Sequence, residues 1–305
     1  MTPFELIQPR SLPEALHALR GGDPDVRPFA GGTALMLLMK AAVLKPRCLV
    51  VLRHLARDHA GIALTRHGEL AIGALATLAG IEQSALVRDR MPVLNAVMRR
   101  LANVRVRNVA TLGGSLAHAD PHMDLPPLLV ALDASATLVS PRGERRMPVE
   151  ALISGYLQTE IAGDELMTEV TIPIAAGARA AYLKCTSRSA DDWPALGVAV
   201  RLDGRDGAMS CRIVLGSATQ RPTRAVKAEA EIGAAGPHDP AAVRRAAEAA
   251  AAEVNVHSDG RGSAAYKRQL VRVYVTRAIA AACDARPAGT PGADSGSLPR
   301  ARPSA

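Results

Sequence analysis

The stretch TLGGSLAHADPHMDLPP, residues 111–127, combines a Gly-Gly pair with alternating histidines and aspartates, directly before the apolar run LLVALDA. On a straight strand, alternate residues face one side, so a metal site is one interpretation of its donors: His118, Asp120, His122 and Asp124. Three prolines disfavour a long regular strand, and no second donor cluster elsewhere completes a ligand set. The stretch therefore favours a ligand-binding loop over a metal site, and an ordinary surface turn explains the two histidines equally well.

FAGGTAL at residues 29–35 has the same design of an apolar entry, Gly-Gly and a hydroxyl residue as TLGGSLA at residues 111–117. In chain order these segments are the first glycine stretch (29–35) and the second glycine stretch (111–117). Glycine lets a ligand approach the backbone without a Cβ in the way, and the amides and hydroxyl can surround an anion. A helix predicted after Thr33 would add positive potential there. One such cluster is ordinary turn chemistry, whereas two suit the two phosphates of a dinucleotide. Neither is a G-x-G-x-x-G fingerprint or a P-loop.

The composition restricts the class of protein. The chain has 305 residues and a formal charge of +8, but only 2 % aromatic residues, which disfavours nucleic-acid binding by base stacking. No apolar run reaches the roughly 18–20 residues of a membrane span, and the N-terminus lacks a signal-peptide pattern. Four scattered cysteines argue against an iron–sulfur, zinc or disulfide site in this chain and favour a cytoplasmic location.

The pattern of apolar residues predicts two domains. Residues 1–52 predict a β–α–β–α–β unit that starts with a capping box at Ser11 and Glu14. Two β-hairpins and several helices follow, up to a boundary at IAAGARA, residues 174–180. Beyond it we expect a small antiparallel sheet, with DGRDG (203–207) as a hairpin loop, and three helices. Residues 285–305 predict a disordered tail.

Both glycine stretches resemble those of a known family. PFAGGTALMLLMK (28–40) and RNVATLGGSLAHADPHMDLPPLLVALDA (107–134) are similar to the FAD-binding medium subunit of molybdenum hydroxylases. That group includes the carbon monoxide dehydrogenase, xanthine dehydrogenase and 4-hydroxybenzoyl-CoA reductase types. Further matches, such as LGSATQRPTRA and SDGRGSAAYKRQLVRVYVTRAI, keep their order over residues 3–283.

The resemblance implies an α/β and α+β fold class. Residues 1–176 would form a two-subdomain, PCMH-type FAD-binding domain, with subdomains at about 1–56 and 57–176. Residues 177–284 would form the small α+β C-terminal domain, with an antiparallel sheet plus helices.

The resemblance also implies the residues that bind non-covalent FAD. The pyrophosphate would be wrapped by Pro28, Phe29, Ala30, Gly31, Gly32, Thr33, Ala34 and Leu35. The second phosphate and ribityl loop would comprise Thr111, Gly113, Gly114 and Ser115, with Asp124 at the ribityl or flavin region. Leu101 and Leu166 would touch the rings. Lys184 would lie near the pyrimidine edge, where a cation suits the charge of reduced flavin; an exposed strand lysine is the alternative.

Three positions depart from the family pattern. Ser115 replaces an asparagine, Ala34 replaces a carboxylate residue, and Ser189 replaces an arginine. These changes affect the expected affinity and redox potential of the flavin more than its presence.

The function implied is that of a FAD-binding electron-transfer subunit of a heteromeric molybdenum hydroxylase. An iron–sulfur small subunit would carry [2Fe–2S] clusters, a large subunit would carry molybdopterin, and an external acceptor would take the electrons. This chain would then need no catalytic acid, base or nucleophile and no metal. RRLANVRVR (99–107) is a candidate docking surface, or merely a solvated basic segment. The alternatives are a stand-alone FAD-dependent oxidase and a flavin-less docking scaffold.

Overall fold

The computed structural model describes residues 2–204 and 209–289. The first subdomain is a three-stranded parallel sheet in the order β1-β3-β2. Its elements are β1 (Glu5–Ile7), α1 (Leu12–Ala18), β2 (Val26–Phe29), α2 (Leu35–Lys40) and β3 (Cys48–Val51). The predicted β–α–β–α–β order is confirmed. Ser11 caps α1 by accepting from the Glu14 amide, while the Glu14 carboxylate accepts from the amide of Arg10, one residue before the cap.

The second subdomain is built on a five-stranded antiparallel sheet in the order β4-β5-β10-β6-β7. Its strands are β4 (Ile62–Leu64), β5 (Leu70–Gly73), β6 (Ser135–Ser140), β7 (Gly143–Pro148) and β10 (Leu166–Ile172), with β8 (Ile153–Gly155) and β9 (Gln158–Thr159) as a separate hairpin. Its helices are α3 (Ala56–His59), α4 (Leu78–Gln83), α5 (Ala85–Arg90), α6 (Pro92–Met98), α7 (Val104–Arg107), α8 (Leu112–His118), α9 (Leu125–Ala131) and α10 (Val149–Leu152). Both predicted hairpins are present, because alternate apolar residues of each turn towards one large core.

The C-terminal domain places a four-stranded antiparallel sheet between two layers. Its elements are β11 (Arg179–Cys185), β12 (Leu196–Asp203), β13 (Ser210–Gly216), β14 (Thr223–Arg224), α11 (Val226–Ala235), α12 (Pro240–Glu253) and α13 (Ala264–Cys283). Val198 and Val200 of β12 face the helical core of this domain, whereas Ala199 faces the core of the second subdomain. The sheet is therefore buried on both faces, which explains why β12 is apolar almost throughout.

The predicted tail over 285–305 lies outside the described residues from residue 290 onward. For residues 285–289 the prediction is wrong, because backbone hydrogen bonds hold them on the fold: the amide of Ala288 donates to Ala178 O, and that of Gly289 donates to Arg90 O. The predicted loop at 203–207 falls mostly outside the described residues. Within residues 2–204 and 209–289, no helix combines the length and apolar character needed to cross a bilayer.

Candidate functional site

The first glycine stretch joins the end of β2 to the start of α2. Gly32 has a φ of +68°, and a Cβ there would overlap the ring of Phe29. A Cβ on Gly31 would overlap the backbone carbonyl of Val109. Both positions therefore need glycine, for a left-handed backbone at one and for close packing of two chain segments at the other.

The backbone amides of this stretch are available to a ligand. Among the hydrogen bonds of residues 2–204 and 209–289, none is donated by the amides of Gly31, Gly32, Thr33 and Ala34. All four residues are only half-buried. Successive unbonded amides beside glycines match the backbone cradle that binds a phosphate.

The second glycine stretch differs from the predicted loop, because it forms the first turn of α8. Thr111 is the N-cap and its hydroxyl accepts from the amide of Gly114 at 3.1 Å. Gly113 packs against Ala74, so closely that a Cβ would lie 2.8 Å from the Ala74 Cβ. Gly114 is exposed and helical, so only the space beside it, and not a positive φ, calls for glycine there.

The amides of this helical turn are already used within the protein. Those of Leu112 and Gly113 donate to the carbonyls of Ala76 and Ala74, and that of Ser115 donates to Thr111 O. The unbonded amides expected at both stretches are thus found only at the first. The second offers the exposed backbone of Gly114 and the hydroxyl of buried Ser115, which has no hydrogen bond within the described chain.

The two stretches lie side by side. Gly31 packs on the backbone of Val109 and Ala110, which lead directly into Thr111. The amide of Leu78 donates to Ala110 O at 2.9 Å and fixes this segment to the second subdomain. A ligand on the first stretch would therefore lie against the second.

A buried charged pair links the second subdomain to the C-terminal domain. Lys184 Nζ lies 2.9 Å from Asp124 Oδ2, and Tyr182 donates its hydroxyl to Asp124 Oδ1 at 2.7 Å. The Lys184 and Asp124 side chains are 4 % and 8 % exposed. Lys184 is thus a buried ion-pair partner, and not an exposed strand lysine.

Burial is the largest influence on the pKa of Asp124 and on that of its hydrogen-bond donor Tyr182. It raises the pKa of Asp124 above its ordinary value, although Lys184 and Tyr182 oppose the change. Burial and the neighbouring carboxylate raise the pKa of Tyr182 well above its usual range. Asp124, Tyr182 and Lys184 also line a cavity of about 280 Å³, together with Arg100 and apolar residues of α6.

Two predicted ring contacts lie in apolar cores. Leu101 is 8 % exposed and belongs to the large core of the second subdomain. Leu166 is 5 % exposed and packs with Leu16 and Val50 of the first subdomain. Their roles as ring contacts stay predictions, as do those of the other candidate residues.

The basic segment 99–107 divides into two kinds of arginine. Arg99, Arg100 and Arg105 are exposed. Arg107 is instead an internal brace, since it pairs with Glu82 at 2.8 Å and donates to the carbonyl of Ala102 at 2.6 Å. Arg107 is thus not a merely solvated charge, and the docking role of segment 99–107 stays a prediction.

The alternating histidines and aspartates do not converge on one point. His122 bridges Asp120 and Asp259, whereas Asp124 turns to Lys184. In the described ranges, no group of three or more His, Cys, Asp or Glu side chains is placed to hold a metal ion. Sequence reasoning missed Asp259, whose only signal was its place in SDGRG.

Comparison with known proteins agrees with this geometry. Residues 2–175 match the family described as the FAD binding domain in molybdopterin dehydrogenase, and residues 181–282 match the CO dehydrogenase flavoprotein C-terminal domain. The chain is 31 % identical to the carbon monoxide dehydrogenase medium chain of Hydrogenophaga pseudoflava, over 92 % of this chain and 96 % of that one. It is 32 % identical to the alpha subunit of the 6-hydroxypseudooxynicotine dehydrogenase complex of Paenarthrobacter nicotinovorans, over 92 % and 94 %.

A solved structure shows the same fold. Carbon monoxide dehydrogenase from Hydrogenophaga pseudoflava, in a form lacking the Mo-pyranopterin moiety, superposes with a TM-score of 0.88 at 33 % identity. The match covers 93 % of this chain and 98 % of that chain.

The chain is therefore a FAD-binding oxidoreductase subunit, and it belongs to the family of medium subunits of molybdenum hydroxylases. The predicted family and fold class are confirmed, and FAD is the cofactor of its first domain. The observed cradle of glycines and unbonded amides fits that cofactor.

Proposed function

We propose that this chain transfers electrons within a heteromeric molybdenum hydroxylase. Electrons would arrive from the [2Fe–2S] clusters of a small subunit, after substrate oxidation at the molybdopterin of a large subunit. FAD supplies the chemistry of passing them to an external acceptor. The supporting observation is the combination of a phosphate cradle at 31–34 with the buried Asp124–Lys184 pair.

In this proposal the first stretch holds the pyrophosphate. The amides from Gly31 to Ala34 would bind its oxygens, and Thr33 would add a hydroxyl. Gly114 and Ser115 would bind the second phosphate or the ribityl chain. The structure supports these roles through the packing of Gly31 on Val109, which places the two stretches side by side.

Asp124 and Lys184 would serve the flavin ring. The Lys184 ammonium is buried and beside a cavity, so its charge would act through little water on a reduced flavin. Asp124 holds that ammonium in place and accepts from Tyr182. These residues would set position and charge at the ring edge, while the flavin carries the electrons.

The placement of the cysteines supports a division of labour between subunits. Cys48 is buried in the first subdomain and Cys211 in the C-terminal domain, and all four cysteines are free. Two [2Fe–2S] clusters need eight ligands, usually cysteines, and this chain has four. The clusters of the proposed pathway would therefore belong to a partner subunit.

The exposed arginines of the 99–107 segment would form part of the docking and electron-entry surface. Arg105 is exposed on α7, three residues before Asn108 and six before the N-cap Thr111. Its closeness in sequence to Thr111 is what supports this assignment.

Reconstitution tests the proposal. The FAD-loaded chain is mixed anaerobically with its small and large subunits, and flavin absorbance is followed with a panel of aromatic and aldehyde substrates. We expect bleaching only in the complete complex, and slower bleaching with Arg105→Glu than with the control Arg244→Glu, an exposed arginine of α12. Rapid bleaching by substrate with this chain alone would identify a stand-alone oxidase, and failure to bind FAD would identify a docking scaffold.

A further inference from the structure

The segment 118–124 connects α8 to α9 and lies against the C-terminal domain. The amide of Ser217 donates to Pro121 O at 2.8 Å. This segment begins where the second glycine stretch ends and finishes at Asp124, the partner of Lys184. Its position therefore determines how the second glycine stretch and the Asp124–Lys184 pair lie relative to each other.

A continuous network of ionisable groups crosses this contact: Asp120, His122, Asp259 and Lys267. His122 Nδ1 lies 3.0 Å from Asp120 Oδ1, and its Nε2 lies 2.9 Å from Asp259 Oδ2. The same Asp259 oxygen accepts from Lys267 Nζ at 2.6 Å. Lys267 also donates to the carbonyl of Ser217 at 3.0 Å. Both ring nitrogens of His122 therefore face carboxylates.

Three members of this network are largely removed from water, while the Asp259 side chain is 27 % exposed. Lys267 is 1 % exposed, and the His122 and Asp120 side chains are 13 % and 10 % exposed. A buried charge without its partner is costly, so each of these groups tolerates little displacement. The network therefore favours one position of segment 118–124 against the C-terminal domain.

A second link runs from the same histidine towards the ion pair. The Trp193 ring stacks on His122 with centroids 5.7 Å apart and 6° between the planes. The preceding residue, Asp192, accepts from Lys184 Nζ through its backbone carbonyl at 3.2 Å. His122 thus contacts the loop that holds Lys184, while its own segment carries Asp124.

We propose that Asp259 is a positioning residue for the flavin site. Through its bond to His122 it holds Asp124 in register with Lys184. The carboxylate itself would not touch the flavin. Lys267 fixes the carboxylate from the opposite side, inside the C-terminal domain. This inference rests on the proposed roles of Asp124 and Lys184.

The variant Asp259→Asn tests it, because the amide keeps the shape but loses the charge shared by His122 and Lys267. We expect FAD to dissociate roughly tenfold more readily, equal to about 1.4 kcal/mol. We also expect a shift of the flavin absorbance band and of its midpoint potential. FAD affinity is measured by fluorescence titration of the FAD-free full-length chain, well below the unfolding temperature.

Glu229→Gln is the matched control. Glu229 is also a buried carboxylate of the C-terminal domain, paired with Arg224 at 2.6 Å and accepting from the amide of Ile213. It has no hydrogen bond or ion pair to segment 118–124 in the described chain. We expect this variant to lower the unfolding temperature while the affinity and spectrum of FAD stay unchanged.

The double variant Asp259→Asn/Lys267→Met separates positioning from stability. It removes the uncompensated ammonium, so we expect thermal stability to recover while FAD affinity and the absorbance band stay altered. Recovery of both together, or equal losses of affinity in Asp259→Asn and Glu229→Gln, would overturn the inference. Absence of FAD binding by the unaltered chain would instead overturn the proposed function with it.

Discussion

Replacing Lys184 with methionine keeps most of the aliphatic stem and removes the ammonium group that contacts Asp124 Oδ2 at 2.9 Å. Both side chains are more than nine-tenths buried, so water from the adjoining cavity would compensate the remaining carboxylate only in part. Loss of one partner from a buried ion pair costs about 3–5 kcal/mol. Because Tyr182 still donates to Asp124 at 2.7 Å, we expect the lower end, about 3 kcal/mol.

The loss should depend on pH. Burial raises the pKa of Asp124 in the folded chain above its unfolded value, so the folded state binds this proton more tightly. Such a group stabilises the fold at low pH, and this contribution is lost as the pH rises through the folded pKa. Lys184 opposes this rise, so without it the folded pKa of Asp124 lies further above the unfolded pKa. Lys184→Met should therefore be more destabilising at pH 8 than at pH 4, relative to the unaltered chain.

The assay is denaturant unfolding of the FAD-free chain for Lys184→Met, Asp124→Asn and the double variant. The double variant has no uncompensated charge, so its cost should be smaller than the sum of the single costs by about 2 kcal/mol. Arg272→Met is the control, since Arg272 pairs with Glu248 at the surface and should contribute less than about 1 kcal/mol. Additive single effects, within about 0.5 kcal/mol, would refute the reasoning.

Three further predictions concern the same region. Gly31→Ala should separate the first glycine stretch from Val109 and abolish FAD binding, as fluorescence titration would detect. Gly114→Val should reduce FAD binding and also lower the unfolding temperature, because its Cβ would crowd the capping hydroxyl of Thr111; full FAD occupancy in both variants would show that neither glycine stretch contributes to FAD binding. Arg107→Met should lower the unfolding temperature and Arg105→Met should not, since only the first loses an internal ion pair; equal shifts would contradict the bracing role. Heat denaturation should release the cofactor, and chromatography should identify it as FAD; FMN, or flavin retained on the protein, would contradict the two-phosphate, non-covalent assignment.

Much of the fold follows from local patterns. The capping residue Ser11, the alternation in β6 and the helices of the C-terminal domain are set by neighbouring residues, and the structure confirms them. The second glycine stretch shows the limit of local inference. A Gly-Gly pair predicts a turn, but the Thr111 cap and the packing of Gly113 on Ala74 make it helical. Tertiary contact here overrides the low helix propensity of glycine.

In the candidate site, too, some features follow from local sequence and others only from tertiary contacts. The residue types of the two glycine stretches, and their resemblance to a family, were sufficient to assign FAD to this chain. Only the tertiary structure showed that four amides of the first stretch are unbonded while those of the second are used.

The long-range partners could not be read from the sequence. Asp124 and Lys184 are 60 residues apart, and His122 and Asp259 are 137 apart. Each side chain alone is equally compatible with an exposed position. Local sequence determines which residues can bind, cap or turn, because those properties depend on near neighbours. Which charges are buried together depends on how separate domains pack, since the cost of removing a charge from water is offset only by a partner that the fold delivers.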